Sequence, residues 1–373
     1  MLAGFPLHVI PEFGETFRPS GHYATWLPQL AQEFKHFPEL DAHWIVLNDR
    51  ITTAREIRWQ NQTFHVLPAS PTGRASTLFR ADRKRIRQTL DGIRPDLVHG
   101  WGTEDVYGLA AVTSGYPSLV SMQGILTDYV LKCRMHPRDY FQALLEFYVL
   151  WRARRITVES EWGRQCLHRR NPRARMSLVE YGVQPEFFDA VWSPDPLRPA
   201  AIFVGGLVPR KGIQDLVTAF KHPSLAGAEL WVVGDGPGRW VENLRRQAPS
   251  NIIWLGRKTI LETAALLGRA WCLVLPTRAD TCPNVVKEAR VIGLPVITTP
   301  CGGQVSYIEH DRNGFLVRPG EVERLSGYLG RLLGDLVLAK SMGACKQEEQ
   351  RAWFRPKNTA TALLKVFQEM TAL

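Results

Sequence analysis

Short apolar runs rich in β-branched residues alternate with stretches where apolar positions recur every three or four residues, along almost the whole chain. In the first half the runs LHVIP (7–11), HWIVL (43–47), FHVLP (64–68), DLVHG (96–100), SLVSM (118–122), RITVE (155–159) and SLVEY (177–181) predict strands. Amphipathic stretches near 22–36, 77–93, 105–114, 138–153 and 160–170 predict the helices between them. Strands separated by helices of roughly 10–15 residues predict parallel βαβ construction. The octapeptide WSPDPLRP (192–199) carries three prolines and neither period, and reads as an interdomain linker. The alternation then restarts with AAIFVGG (200–206), ELWVVGDG (229–236), NIIWLG (251–256), WCLVLP (271–276), LPVITT (294–299) and GFLV (314–317). Helices are expected near 212–221, 238–247, 259–268 and from 284, with two more near 321–336 and 357–371.

The expected fold is therefore α/β, with two Rossmann-like, doubly wound lobes facing each other across a cleft. Residues 1–191 form the first lobe, 200–345 the second, and the helical segment 346–373 is expected to cross back to the first. Ligands should sit at the carboxyl ends of both sheets.

At 373 residues the chain has the length of two domains, and 45% hydrophobic with 22% charged residues is an ordinary globular balance. MLAGFPLHVIPEFGE has no basic segment before an apolar core, so no signal peptide is expected. No apolar run approaches the ~18 residues of a spanning helix; the nearest, ALLEFYVLW (143–151), contains Glu146. The six scattered cysteines form no C-x-x-C and predict reduced thiols in a cytoplasmic protein, not a disulfide frame or zinc site. The net charge of +10 gathers in RADRKRIR (80–87), WRARR (151–155) and RQCLHRRNPRAR (164–175). These clusters read as solvated helix faces or as a surface for anions, either acidic phospholipid or a phosphate-bearing acceptor. Nucleic acid is not expected, because no zinc finger, RNP motif or aromatic-interleaved basic stripe is present.

Candidate chemistry concentrates in the second half. GGLVPRKG (205–212) joins a strand to a helix, with Gly205 and Gly206 allowing backbone approach and Lys211 at the helix mouth, where it can meet a diphosphate. Gly256 and Arg257 close another strand and can present backbone to a base. TRADTCPNVVKEARVIGLPVITTPCGG (277–303) places Asp280 on the loop after a buried strand. The amides of Asn284, Val285 and Val286 then open a helix, with Glu288 one turn in. Val285, Val286, Ala289 and Ile292 make the apolar stripe, so a carboxylate beside it needs hydrogen-bond donors, and sugar hydroxyls supply them.

These segments together resemble the retaining glycosyltransferases of family 4, whose fold is GT-B, and among them bacterial surface-polysaccharide members. PEFGETFRPSGHYATWLPQLAQEF is similar to the family's opening strand, glycine loop and helix, with Gly21 as the loop glycine. RPDLVHGWGTEDVYGLAA, SLVSMQGI, VEYGV and GGQVSYIEHDRNGFLV resemble later family segments in the same order. The resemblance implies transfer of a sugar from a nucleotide-diphosphate donor to a hydroxyl on a glycan or lipid-linked acceptor, with retention and without metal or other cofactor. It implies a phosphate-binding role for Lys211, a ribose-binding role for Glu288, and a grip on the donor sugar's hydroxyls for Asp280. Gln123 stands where the family usually has a cleft histidine, and His99 and Glu104 become candidate acceptor or sugar contacts. The expected place of action is the cytoplasm, with the inner membrane face as a peripheral site.

Two further departures sharpen the expectation. Asp-x7-Glu replaces the family's Glu-x7-Glu, so Asp280 must reach about one methylene further. Gly206 replaces an arginine, and Arg210 is expected to supply the missing phosphate cation. A nucleotide-sugar epimerase of the same fold and a non-catalytic nucleotide-sugar binding protein are the competing readings.

Overall fold

The structure, a computed structural model, describes residues 1–10, 12–14, 17, 24, 26–70, 74 and 76–371. It divides into two units, Met1–Gly182 with Pro356–Leu373, and Val183–Arg355.

The N-terminal unit holds strands β1 (Ala42–Asn48), β2 (Arg55–Trp59), β3 (Gln62–Pro68), β4 (Val98–Trp101), β5 (Ser118–Ser121), β6 (Arg155–Val158) and β7 (Arg175–Leu178). They run in the orders β1-β3-β2 and β4-β5-β6-β7, all parallel except β2, which is antiparallel to β3. Leu2 joins the two sets by parallel bridges to Ile45 and Gly100, and its amide donates to His99 O at 2.7 Å. The opening strand expected at 7–11 is therefore not where the chain enters the sheet. Leu7–Val9 is a 3₁₀ turn. Leu7 and Ile10, three apart, are buried while Val9 is 45% exposed, which is a turn's period and not a strand's. The unforeseen β2, REIRW, is an edge strand with most of its side chains in solvent. Edge strands tolerate the charges that hid it from the apolar pattern.

The C-terminal unit holds β8 (Ala200–Val204), β9 (Glu229–Val233), β10 (Ile252–Gly256), β11 (Cys272–Leu275), β12 (Val296–Thr298) and β13 (Gly314–Leu316). Each strand comes from an expected run. The sheet is wholly parallel in the order β10-β9-β8-β11-β12-β13. Parallel sheets bury both faces, so their strands are continuous apolar runs; Ile202, Phe203, Leu273, Val274 and Ile297 are all fully buried. The winding direction reverses between β8 and β11. The crevice at such a reversal, beyond the strands' carboxyl ends, is where doubly wound sheets bind ligands.

The expected domain limits need correction. WSPDPLRP is not a linker but a strap on the C-terminal unit. Trp192 Nε1 donates to Ala270 O at 2.7 Å, Ser193 N to Gly268 O at 2.8 Å, and Trp271 Nε1 to Asp195 O at 2.9 Å. Prolines made the strap irregular, and the indoles hold it down. The units part instead at Gly182/Val183 and Arg355/Pro356. The segment 346–373 is accordingly split. Helix Gln347–Trp353 stays in the C-terminal unit, where Gln347 Nε2 donates to Ile292 O at 2.8 Å. Helix Pro356–Thr371 joins the N-terminal unit, where Phe367 packs 6.5 Å from Phe34.

Candidate active site

Three loops at the carboxyl end of the C-terminal sheet are drawn together by backbone contacts. After β8 the chain makes a 3₁₀ turn, Pro209–Lys211, then Gly212 with φ +77°. A methyl group at Gly212 would stand 2.0 Å from Pro276 O, so only glycine lets this turn press against the end of β11. Arg278 N and Thr277 Oγ1 both donate to Arg210 O, at 2.8 and 3.1 Å. Arg278 also forms a two-pronged ion pair with Asp215 at 2.8 Å, fastening the loop after β11 to helix Ile213–Ala219. The third loop follows β12. Gly302, φ +117°, brings its Cα so near Asp280 that an added methyl would meet Asp280 O at 1.9 Å.

These contacts set Lys211 against Asp280. The ammonium donates directly to the carboxylate, and Arg210 Nη1 lies 3.9 Å from the carboxylate's other oxygen while donating to Ala279 O at 2.5 Å. The Asp280 and Lys211 side chains are 10% and 17% exposed. Burial lowers the pKa of Lys211, Asp280 opposes that shift, and Arg210 adds to it. Gly206 faces open space, with nothing within 4 Å of an added methyl.

Helix Asn284–Ile292 starts directly beyond this pair. Val285, Val286, Ala289 and Ile292 are buried as the stripe predicted. One expectation is corrected here: the Val286 amide is not free, because it donates to Pro283 O at 3.0 Å. The Asn284 and Val285 amides have no acceptor among the described residues. Glu288 is half-buried and has no hydrogen-bond or ion-pair partner among the described residues. Burial raises its carboxyl to about 7, against a smaller opposing pull from Lys287.

Around Gly205 and Gly256 the backbone is bonded between neighbouring strand ends, while an added methyl at Gly256 would meet nothing within 4 Å. Gly205 N donates to Val233 O at 3.0 Å, an added methyl at Gly234 would strike Gly205 O at 1.9 Å, and Gly256 O receives Gly234 N at 2.9 Å. Arg257 is 83% exposed, its Nε 3.5 Å from Asp235 Oδ2.

In the N-terminal unit, Glu104 and Gln123 lie at the carboxyl ends of β4 and β5. A methyl on Gly102, φ +79°, would stand 2.4 Å from Glu104 Oε2 and 3.4 Å from Gln123 Oε1, so both side chains line the same small space. Glu104 Oε2 accepts from Thr103 N at 2.9 Å. His99 is not available to a ligand: it is 2% exposed, its Nε2 is bonded to Ser121 Oγ at 2.7 Å, and its ring is covered by Trp101 and Phe367. Burial holds its pKa well below the usual histidine value. Gly21 lies outside the described residues.

A buried acid that the sequence pattern left unassigned organises this end. Glu146, fully buried, accepts from Thr103 Oγ1, Leu126 N, Thr127 N and Thr127 Oγ1 at 2.7–3.0 Å. It ties the loop bearing Glu104 to helix Leu126–Lys132. A lone glutamate inside the apolar stretch ALLEFYVLW was the signal that could have found it.

Burial, with Glu146 adding to it, raises the Glu104 carboxyl to about 7. The fold therefore favours its protonated form. That contribution to stability is complete below the unfolded value of 4.5 and is lost as pH rises through about 7. Glu104→Gln is expected to flatten the fall in Tm between about pH 4.5 and 7. A Tm profile parallel to that of the unsubstituted chain would show that Glu104 titrates normally.

Among the described residues no group of three or more His, Cys, Asp or Glu side chains is placed to hold a metal ion. No helix of the described residues is long and apolar enough to cross a membrane.

Comparison with known proteins adds to this geometry. Residues 198–335 match the family described as glycosyl transferases group 1. A GDP-mannose-dependent alpha-(1-6)-phosphatidylinositol monomannoside mannosyltransferase of Mycobacterium tuberculosis is 31% identical over 221 residues, covering 52% of this chain and 55% of its own length. N-acetyl-alpha-D-glucosaminyl L-malate synthase of Bacillus anthracis is 28% identical over 166 residues, covering 43% and 42%. The chain thus spans about half the length of the curated relatives it matches. Among solved structures, sucrose-phosphate synthase of Thermosynechococcus elongatus has a TM-score of 0.81 at 19% identity, covering 93% of both chains. Anabaena HepE in complex with UDP and glucose scores 0.72 at 16% identity, covering 95% of this chain and 98% of its own. With the doubly wound sheets described above, these matches place residues 198–335 in the glycosyl transferases group 1 family and give the chain the GT-B fold.

Proposed function

We propose that the chain transfers a sugar from a nucleotide-diphosphate donor to a hydroxyl acceptor, with retention of anomeric configuration and without a metal. The observation that carries this reading is the Lys211–Asp280 pair at the reversal between β8 and β11, with Glu288, which has no partner among the described residues, in the helix that follows. Glu288 would accept from the donor's ribose hydroxyls, relieving a half-buried carboxylate that has no donor among the described residues. Lys211 and Arg210 would face the diphosphate, and the carboxylate of Asp280 the sugar hydroxyls. In a front-face transfer the acceptor oxygen bonds to the anomeric carbon as the carbon–phosphate oxygen bond breaks. The acceptor's proton passes to the departing phosphate, so the protein needs to supply positive charge and not a base. Glu104 and Gln123 are the acceptor-side candidates. A nucleotide-bound neighbour with UDP and a relative dependent on GDP-mannose both support a nucleotide-sugar donor. The basic clusters support an acceptor presented on an anionic surface, as a glycan or lipid-linked glycan.

A thermal-shift panel of UDP, GDP, ADP and their sugars tests this. A nucleotide at about 100 times its Kd stabilises by about 2.7 kcal/mol, enough to move the midpoint by several degrees. In the same panel Glu288→Gln is expected to weaken the effective donor, with KM rising and kcat little changed. Silence of every nucleotide in the unsubstituted chain would sink the reading. Acceptor-independent conversion of the donor to its epimer would replace transfer with epimerisation.

A further inference from the structure

Helix Pro137–Arg152 is apolar on two faces. Ala143, Leu145, Val149 and Leu150 are buried in the N-terminal unit, with Glu146 among them. Tyr140, Phe141, Leu144, Phe147, Tyr148 and Trp151 point the other way and are 38–71% exposed. At helical spacing these six fall within an arc of about 120°, a continuous stripe that no described residue of the N-terminal unit covers. Leu131, on the adjoining helix Leu126–Lys132, is 80% exposed as well.

Charge around the stripe says what kind of surface it fits. Lys132, Arg134, Arg138, Arg152 and Arg154 are exposed in the same stretch. None of its carboxylates is: Asp128 is buried against Lys132, Asp139 caps the helix start by accepting from His136 N, and Glu146 is fully buried. Helix Val106–Val112 touches both this helix and Arg80–Ile93, which adds exposed Arg80, Lys84 and Arg87 to the same helical layer. Aromatic and aliphatic side chains flanked by cations are the composition of a helix lying in the headgroup region of an anionic bilayer. A second copy packed symmetrically on this face would set cation against cation.

We propose that helix Pro137–Arg152 docks the chain on an anionic phospholipid bilayer, with its aromatic stripe entering the headgroup–acyl boundary. This rests on the anionic-surface part of the reading above and is independent of the transfer chemistry. The full chain is expected to sediment with vesicles of phosphatidylcholine containing about 30% phosphatidylglycerol, and far less with phosphatidylcholine alone. Because apolar insertion is not screened, part of the binding should survive salt that removes surface electrostatics. Phe147→Ser/Trp151→Ser alters only exposed side chains and is expected to lower partitioning at least about tenfold with Tm unchanged. Arg138→Gln/Arg152→Gln should lose the preference for anionic vesicles. Undiminished partitioning of Phe147→Ser/Trp151→Ser, or no sedimentation of the unsubstituted chain at low salt, overturns the proposal. So does self-association that the same double substitution abolishes, which would assign the stripe to a second copy. The nucleotide-induced thermal shift should be the same in all variants, so failure of docking and failure of the donor site are read separately.

Discussion

Lys211→Ala is expected to lower kcat by about 10² to 10³, the loss that follows removal of one fixed donor at a developing negative charge. In the proposed transfer, departure of a nucleoside diphosphate builds charge on the bridging oxygen, and Lys211 would be the cation that meets it. Its turn is locked by Gly212 against Pro276, and its ammonium is bonded to Asp280. Only part of this interaction exists in the ground state, so kcat should fall much more than the affinity for the donor. Lys211→Arg should recover part of the rate, because charge is kept while the fork geometry differs from a point ammonium. The measurement is steady-state release of nucleotide diphosphate with acceptor present. A kcat within threefold of the unsubstituted chain would remove Lys211 from the mechanism.

Asp280→Ala is expected to be the most destabilising single change at the site. Removing one partner of a largely buried ion pair leaves the other charge unpaired, at a cost of about 3–5 kcal/mol. For a unit of this size that lowers Tm on the order of 10 °C. The pH response separates the electrostatic role from sugar contact. Asp280 opposes the burial that lowers the Lys211 pKa. Without the carboxylate the ammonium should lose its proton at lower pH, and activity that needs the cation should decline earlier as pH rises. Asp280→Asn keeps a hydrogen-bonding group but not the charge, so its alkaline limb should shift in the same direction. An unchanged limb in Asp280→Asn would mean that the carboxylate serves only the sugar. Asp280→Glu restores the longer acid and should alter donor-sugar preference more than stability.

The pairing of these two residues was not legible in the chain. They lie 69 positions apart, and the pattern assigned one to phosphate and the other to sugar, each separately. Residue type and position after a strand could be read because parallel strands are unbroken apolar runs and their loops must follow them. The bonds from Thr277 Oγ1 and Arg278 N that draw the loops together both end on the backbone oxygen of Arg210, an acceptor that carries no side-chain signature. The N-terminal unit shows the same division. His99 was a candidate contact because it was the histidine left near the expected cleft once Gln123 stood in the usual position. It is core because Leu2 and Phe367, from the two ends of the chain, close over that strand. Prolines at 192–199 marked irregular backbone correctly and a domain boundary wrongly, since composition does not reveal that two indoles pin the segment to its own unit.

The sequence by itself determined the α/β class, all six strands of the C-terminal sheet and the apolar stripe of helix Asn284–Ile292. These follow from local periodicity and from what burial demands of a strand or helix face. Only the tertiary structure decided where the units part, that Lys211 and Asp280 bond to each other, that Glu288 has no partner among the described residues, and that Glu146 clamps the loop of Glu104. Each of these depends on contacts between segments far apart in the chain, which side-chain periodicity cannot encode.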